Sequence, residues 1–282
     1  MIRFGVHCSI RNGLKSAIFE AEIIGCEAVQ IFTRSPRMWK LGFASRKDIA
    51  EFKNLRKEKK IHPLIVHSPY LPNLATSKKK LYELSFNSLK EDLAFCEKIE
   101  ADYLVIHPGA YSEGSNEEDG IENISKAINK AFALVKGKTT LLIENMAGGG
   151  RRIGRSFKEL AKIINKIKDK NRIGVCFDTA HAFGAGYNLS KKDGIDKTLR
   201  EFDTVIGIQR MKVVHFNDSI ALLGSSKDRH HHLGKGNIGI DGFKYFIAKV
   251  KNKVEAGILE TPKEKPSSDK KNLNILFRLR KG

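Results

Sequence analysis

The chain has 282 residues, 41% of them hydrophobic, enough for a sizeable core in one barrel of roughly 250 residues or in two smaller domains. Its 51 Lys and Arg against 32 Asp and Glu leave a formal charge of +19, which suits a polyanion such as nucleic acid, an anionic membrane surface or a salt-laced, heat-stable exterior. No apolar stretch approaches the roughly 20 residues of a membrane span, no leader is legible in MIRFGVHCSIRNG, and Cys8, Cys26, Cys96 and Cys176 form no C-x-x-C pair. These features exclude a disulfide framework and point to a soluble chain in a reducing, cytoplasmic compartment.

Short β-branched runs alternate with helical periodicity along the whole sequence. IRFGVHCS is followed by a helix over Leu14–Ile24, AVQIFT by Arg46–Lys59, LIVHSPY by Lys78–Ile99, and YLVIHPG by Glu117–Val135. TLLIENMA precedes Ser156–Lys168, IGVCFDTAH precedes Ile195–Ile206, MKVVHFNDS precedes Gly242–Val250, and EAGILETP completes the series. Each run is nearly continuous in apolar residues, as befits a strand buried on both faces. Eight such strands alternating with helices predict an α/β chain folded as a single (β/α)₈ TIM barrel over 1–282. A doubly wound open sheet is the alternative, but no G-x-G-x-x-G follows the first strand. The lysine-rich tail after Pro262 is expected to be partly loose.

The strand ends carry the chemistry. His7 ends the first run, His67 the third, His107 the fourth and Glu144 the fifth. Asp178 and His181 follow the sixth, His215 the seventh and Glu260 the eighth, while Asp228 and His230 lie in the long loop after the seventh. In a barrel all carboxyl ends of strands meet on one face, so these groups would share one bowl. A lone strand-end histidine is more often a hydrogen-bonded core residue, and His7 is placed in that class as a supporting group. Asp178 reads equally as a helix N-cap, Glu260 as a strand-end cap, and His231 and His232 as solvated loop. Joint placement reverses those odds for the other nine. So many carboxylates and imidazoles cannot share a cavity unpaired without severe desolvation cost, and mixed His/Asp/Glu ligation suits zinc or manganese. Nine donors suit two or three ions, with Glu144 as a bridge. Such clusters serve phosphoryl displacement, and the basic surplus points to nucleic acid as the phosphodiester.

Several motifs occur in an order that resembles the endonuclease IV family of metal-dependent abasic-site endonucleases of DNA repair. They are VHSPYLPNLA (66–75), IHPG (106–109), IEN (143–145), FDTAHAFGAGY (177–187), HFNDS (215–219), DRHHHLGKGNIG (228–239) and LETP (259–262). The resemblance covers nearly the whole chain. It implies three Zn²⁺ ions, with Mn²⁺ as a substitute: His67, His107 and Glu144 on the first, Glu144, Asp178, His215 and Glu260 on the second, and His181, Asp228 and His230 on the third. It further implies a monomer that hydrolyses the phosphodiester 5′ to an abasic site in double-stranded DNA, leaving a 3′-hydroxyl and a 5′-deoxyribose phosphate. Glu144 would orient the hydroxide, and 3′-end cleaning would be a further activity. Arg37, Tyr70 and Leu71 stand where the family wedges side chains into the duplex. Ala110-Tyr111, Met146, Gly149 and Ile220 depart from the family's usual residues, which bears on loop contacts to DNA and not on the ligands. Sugar isomerases and epimerases with one or two metals, and a non-catalytic nucleic-acid binder, are the rival readings.

Overall fold

A computed structural model describes every residue except Pro36, Phe43 and Pro266. Eight parallel strands close a barrel: β1 (Arg3–His7), β2 (Ala28–Phe32), β3 (Leu64–His67), β4 (Tyr103–Ile106), β5 (Thr140–Glu144), β6 (Ile173–Asp178), β7 (Met211–His215) and β10 (Ala256–Leu259). The ring closes where Val6 of β1 stands beside Leu259 of β10. A two-stranded hairpin, β8 (Asp218–Ser219) and β9 (His230–His231), lies in the loop that leaves β7.

The helices between the strands are α1 (Leu14–Ile24), α2 (Arg46–Glu58), α3 (Lys79–Ile99), α4 (Glu117–Leu134), α5 (Phe157–Lys166), α6 (Thr179–Ala185), α7 (Lys192–Val205), α8 (Gly239–Val250) and α9 (Ser268–Lys281). Local signals set their limits. Ser45 with Asp48, and Asn116 with Asp119, form reciprocal capping boxes at the starts of α2 and α4. Gly25, at φ 92°, ends α1 in the left-handed conformation that glycine adopts without a Cβ clash.

Strand alternation divides the core in two. Leu141 and Ile143 of β5 face outward into the large core beneath the helices, whereas Leu142 faces the barrel interior. Ala28, Ile65, Val105, Cys176, Val213 and Ile258 join Leu142 in that interior, all fully buried. The interior is therefore a packed plug rather than a pore, and it forms a dry floor under the carboxyl ends of the strands.

The tail departs from expectation. It forms α9, with Leu273 and Leu276 fully buried in the outer core. Arg280 anchors it by a two-pronged pair with Glu27, at 2.6 and 2.9 Å, and by a hydrogen bond to the carbonyl of Ile2. Lys270, Lys271 and Lys281, among the lysines that suggest looseness, occupy the solvent side of an amphipathic helix whose apolar stripe covers β1 and β10. The stretch from Thr179 to His181 likewise turns into α6 instead of extending the sixth strand.

Candidate metal centre

The period of two that builds the floor also builds the site. Two residues beyond each interior apolar side chain, the next inward position carries a polar one: Ala28 is followed by Gln30, Ile65 by His67, Val105 by His107 and Leu142 by Glu144. Cys176 is followed by Asp178, Val213 by His215 and Ile258 by Glu260. The donors thus form a ring one layer above the plug. Above them opens a cavity of about 690 Å³, whose wall includes Tyr70, Leu71, Arg152, Lys227, Asp228 and Arg229.

Three sets of donor atoms converge in this bowl, each within 4.8 Å of one another: His67, His107 and Glu144; Glu144, Asp178, His215 and Glu260; and Asp178, His181 and His230. Glu144 is fully buried and divides its oxygens between sets. Oε2 lies 3.2 Å from Nε2 of both His67 and His107, and Oε1 lies 3.2 Å from Nδ1 of both His181 and His215. Asp228, half exposed, stands over the third set, its carboxylate 3.2 Å from Nε2 of His181 and 3.1 Å from Nε2 of His230.

The imidazoles are oriented by their outer nitrogens. Nδ1 of His67 donates to the Ser68 carbonyl at 2.6 Å, Nδ1 of His181 to the Asn145 carbonyl at 2.9 Å, and Nδ1 of His230 to the Glu260 carbonyl at 3.3 Å. Each bond turns Nε2 toward the bowl, the arrangement of ligating histidines. His215 is the reverse case: Nε2 donates to Gln30 Oε1 at 2.8 Å, leaving Nδ1 toward Glu144 and Glu260.

Nε2 of His181 and Nε2 of His230 are buried without a hydrogen-bond partner among the described residues. They lie 3.2 and 3.1 Å from the Asp228 carboxylate without forming a hydrogen bond to it. Orphaned nitrogens of this kind are costly unless something satisfies them, and a divalent cation fits both them and the surrounding carboxylates.

Without a cation the same groups hold each other charged. Burial pushes the Glu144 carboxyl up, but His215 and His107 outweigh it and hold it well below the usual range. Burial likewise opposes ionisation of Glu260, which His215 brings down to about 2. His181 is disfavoured as a cation by burial, yet Asp178, Asp228 and Glu144 raise it well above the ordinary imidazole value. His230 rises to about 9 against burial, chiefly through Asp178 and Asp228. His7 is different: burial lowers it to about 3, so it is neutral, and it accepts from Gln30 Nε2 at 3.1 Å while standing 3.9 Å from Glu260. It belongs to none of the three sets.

Residues 19–276 match the family described as xylose isomerase-like TIM barrel. A protein of Halothermothrix orenii named a probable endonuclease 4 is 47% identical over 262 residues, covering 93% of this chain and 94% of its own. The chain belongs to the endonuclease IV family. The crystal structure of endonuclease IV from Thermus thermophilus superposes with a TM-score of 0.87 at 34% identity, over 99% of both chains. A D-tagatose 3-epimerase-like protein superposes with a TM-score of 0.73 at 18% identity, a likeness of fold alone.

This endonuclease IV chain positions its donors with residues that the sequence reading passes over. Gln30 reaches two of them, Glu260 at 2.6 Å and His215 at 2.8 Å, and also His7 at 3.1 Å. Asn217 donates to Asp178 at 2.7 Å and accepts from the Glu260 amide at 2.9 Å, while Asn145 accepts from the Asp178 amide at 2.7 Å. Asp218 accepts four backbone N–H bonds, from Ser219, Gly234, Gly236 and Ile238, at 2.8 to 3.0 Å. The glycine-rich turn after the histidine run is thus wrapped around a buried carboxylate. A Cβ at Gly236 would stand 2.5 Å from Asp218 Oδ1. Pairing of Ser219 with His230 in the hairpin then aims His230 inward. His231 packs at a tilt against His232, whose Nδ1 accepts from Asn272 of α9, so neither is a bare loop residue and neither enters a donor set. Of the expected wedge residues, Tyr70 and Leu71 line the bowl and Tyr70 is 57% exposed, whereas Arg37 is exposed and does not line it. Its neighbour Pro36 lies outside the described residues.

Proposed function

We propose that this chain is a DNA-repair endonuclease that hydrolyses the phosphodiester 5′ to an abasic site with a trinuclear zinc centre. The observation that carries this reading is the convergence of three donor sets, joined by Glu144 and Asp178, in the bowl of an endonuclease IV family member. His67, His107 and Glu144 would hold one ion, Glu144, Asp178, His215 and Glu260 a second, and His181, His230 and Asp228 a third. Bound there, divalent cations supply an acidified water and positive charge for a phosphoryl group that gains charge during displacement.

The protein's own groups do the remaining work. Glu144, with its oxygens divided between sets, is the residue placed to orient the attacking water. Gln30, Asn145 and Asn217 hold the donors in register, so little reorganisation is needed when charge develops. Tyr70 packs edge-on against Phe32 and His67, with centroids 5.6 and 5.8 Å away, which braces an aromatic face at the rim for the stacked edge of an opened duplex. An abasic nucleotide has no base stacking to lose, so extrusion into the bowl costs least at the lesion.

The test is incubation of purified protein with a duplex carrying one abasic analogue, with and without chelator. Cleavage 5′ to the analogue, abolished by chelator and restored by Zn²⁺, is expected. Turnover of ketosugars without cleavage of the duplex would overturn the reading in favour of an epimerase.

A further inference from the structure

Some cations on the helical wall are engaged: Lys53 with Glu100 at 2.7 Å, Lys162 with Glu117 at 2.9 Å and Lys249 with Asp196 at 2.9 Å. Arg152, Lys227 and Arg229 line the cavity, and none has a carboxylate within 4.0 Å among the described residues. Asp228 lies between two of them in sequence, but its carboxylate turns inward to His181 and His230. A cation left unpaired beside a cavity keeps its full attraction for an anion that enters.

Arg152 is the most firmly placed of the three. Gly148, Gly149 and Gly150, at φ 88°, 92° and 58°, reverse the chain through a conformation that other residues rarely adopt. The returning segment lies beside the loop after β4: the Tyr111 amide donates to the Arg151 carbonyl at 3.1 Å, and the Ile153 amide to the Gly109 carbonyl at 2.9 Å. Residue 152 is thereby fixed at the rim, bridged to Ala110. Among the described residues the guanidinium has only one weak bond, at 3.4 Å to the Gly148 carbonyl. A Cβ at Gly149 would stand 3.6 Å from Arg152 Nη1 and 3.1 Å from the Ser226 carbonyl, so the bare glycine keeps the gap between the loops after β5 and β7 open to this side chain.

We infer that Arg152, completed by Lys227 and Arg229, is a seat for a backbone phosphate of the nucleic-acid substrate beside the metal centre. The inference rests on the proposed nuclease function and names the residues that grip its substrate on the side of the bowl formed by the loops after β5 and β7. A guanidinium presents two parallel N–H groups to phosphate, which a lysine cannot, so Arg152 sets geometry as well as charge.

The experiment measures equilibrium binding of the metal-loaded, full-length protein to intact and abasic duplexes over a range of salt concentrations. Arg152→Ala should weaken both duplexes about tenfold at low salt and reduce the slope of log K against log salt by roughly 0.9, one phosphate's worth, with zinc content unchanged. Arg152→Lys should keep the slope with affinity between the two. Lys162→Ala, on the wall, should change neither. A wild-type slope in Arg152→Ala, at any affinity, would overturn the phosphate seat while leaving the nuclease reading intact. A wild-type protein that binds neither duplex would overturn both.

Discussion

Two layers of side chains on the same seven strands differ completely in character. The lower layer, with Ala28, Ile65, Val105, Leu142, Cys176, Val213 and Ile258, is dry and fully buried. Two residues further along, Gln30, His67, His107, Glu144, Asp178, His215 and Glu260 form a polar layer, buried except for the half-buried His107 and Glu260. A single pleat separates packing from chemistry. The lower layer is stable by apolar burial alone, whereas the upper one leaves orphaned nitrogens and mutually charged pairs that need cations to complete them.

Substitutions in the two layers should therefore separate function from stability. Glu144→Gln removes the charge shared by two donor sets and should lower cleavage of abasic duplex by at least about 10³-fold, measured as single-turnover rate, while the protein still folds and binds the duplex. Activity within tenfold of wild type would place the orientation of water elsewhere. One layer down, Leu142→Ala should act the other way, costing about 2–5 kcal/mol in denaturant unfolding through the cavity it leaves, with zinc content preserved. Loss of zinc without loss of stability in this variant would break the separation.

Protons sharpen the same contrast. In the metal-free bowl His181 and His215 are raised well above the ordinary imidazole value and His230 to about 9, so all three carry a proton near neutrality that a ligating nitrogen must give up. Zn²⁺ added to metal-free protein near pH 7 should release roughly three protons, and apparent affinity should rise with pH from neutrality upward. An affinity independent of pH through this window would contradict the ligand role of these histidines. The smallest effect is expected at the rim. Tyr70→Ala should reduce the preference for abasic over intact duplex by about 1–3 kcal/mol, read from competition binding, without altering metal content. Equal weakening of both duplexes would make Tyr70 part of the scaffold.

The barrel was legible because strands buried on both faces write themselves as continuous apolar runs, and the limits of α1 emerge from periodicity and the closing glycine without adjustment. Six of the nine donors were legible because each stands at the end of a barrel strand, while His181 follows Asp178 into α6 and the histidine run marks Asp228 and His230 in the loop after β7. Gln30 was not, since it lies inside the AVQIF run and nothing local distinguishes an inward amide from an outward one; the parity of Ala28 and Gln30 is the signal that finds it. The α9 helix was hidden by lysines, although Leu273, Leu276, Phe277 and Arg280 recur at helical spacing. Asp218 and its ring of amides could not be read at all, because backbone donors leave no trace in residue identity.

The most direct test of the upper layer is elemental analysis of the purified protein under native conditions. About three divalent ions per chain, mainly zinc, are expected from the three donor sets, falling to about two in Asp228→Ala/His230→Ala with the barrel intact. A wild-type value near one per chain would contradict the trinuclear centre.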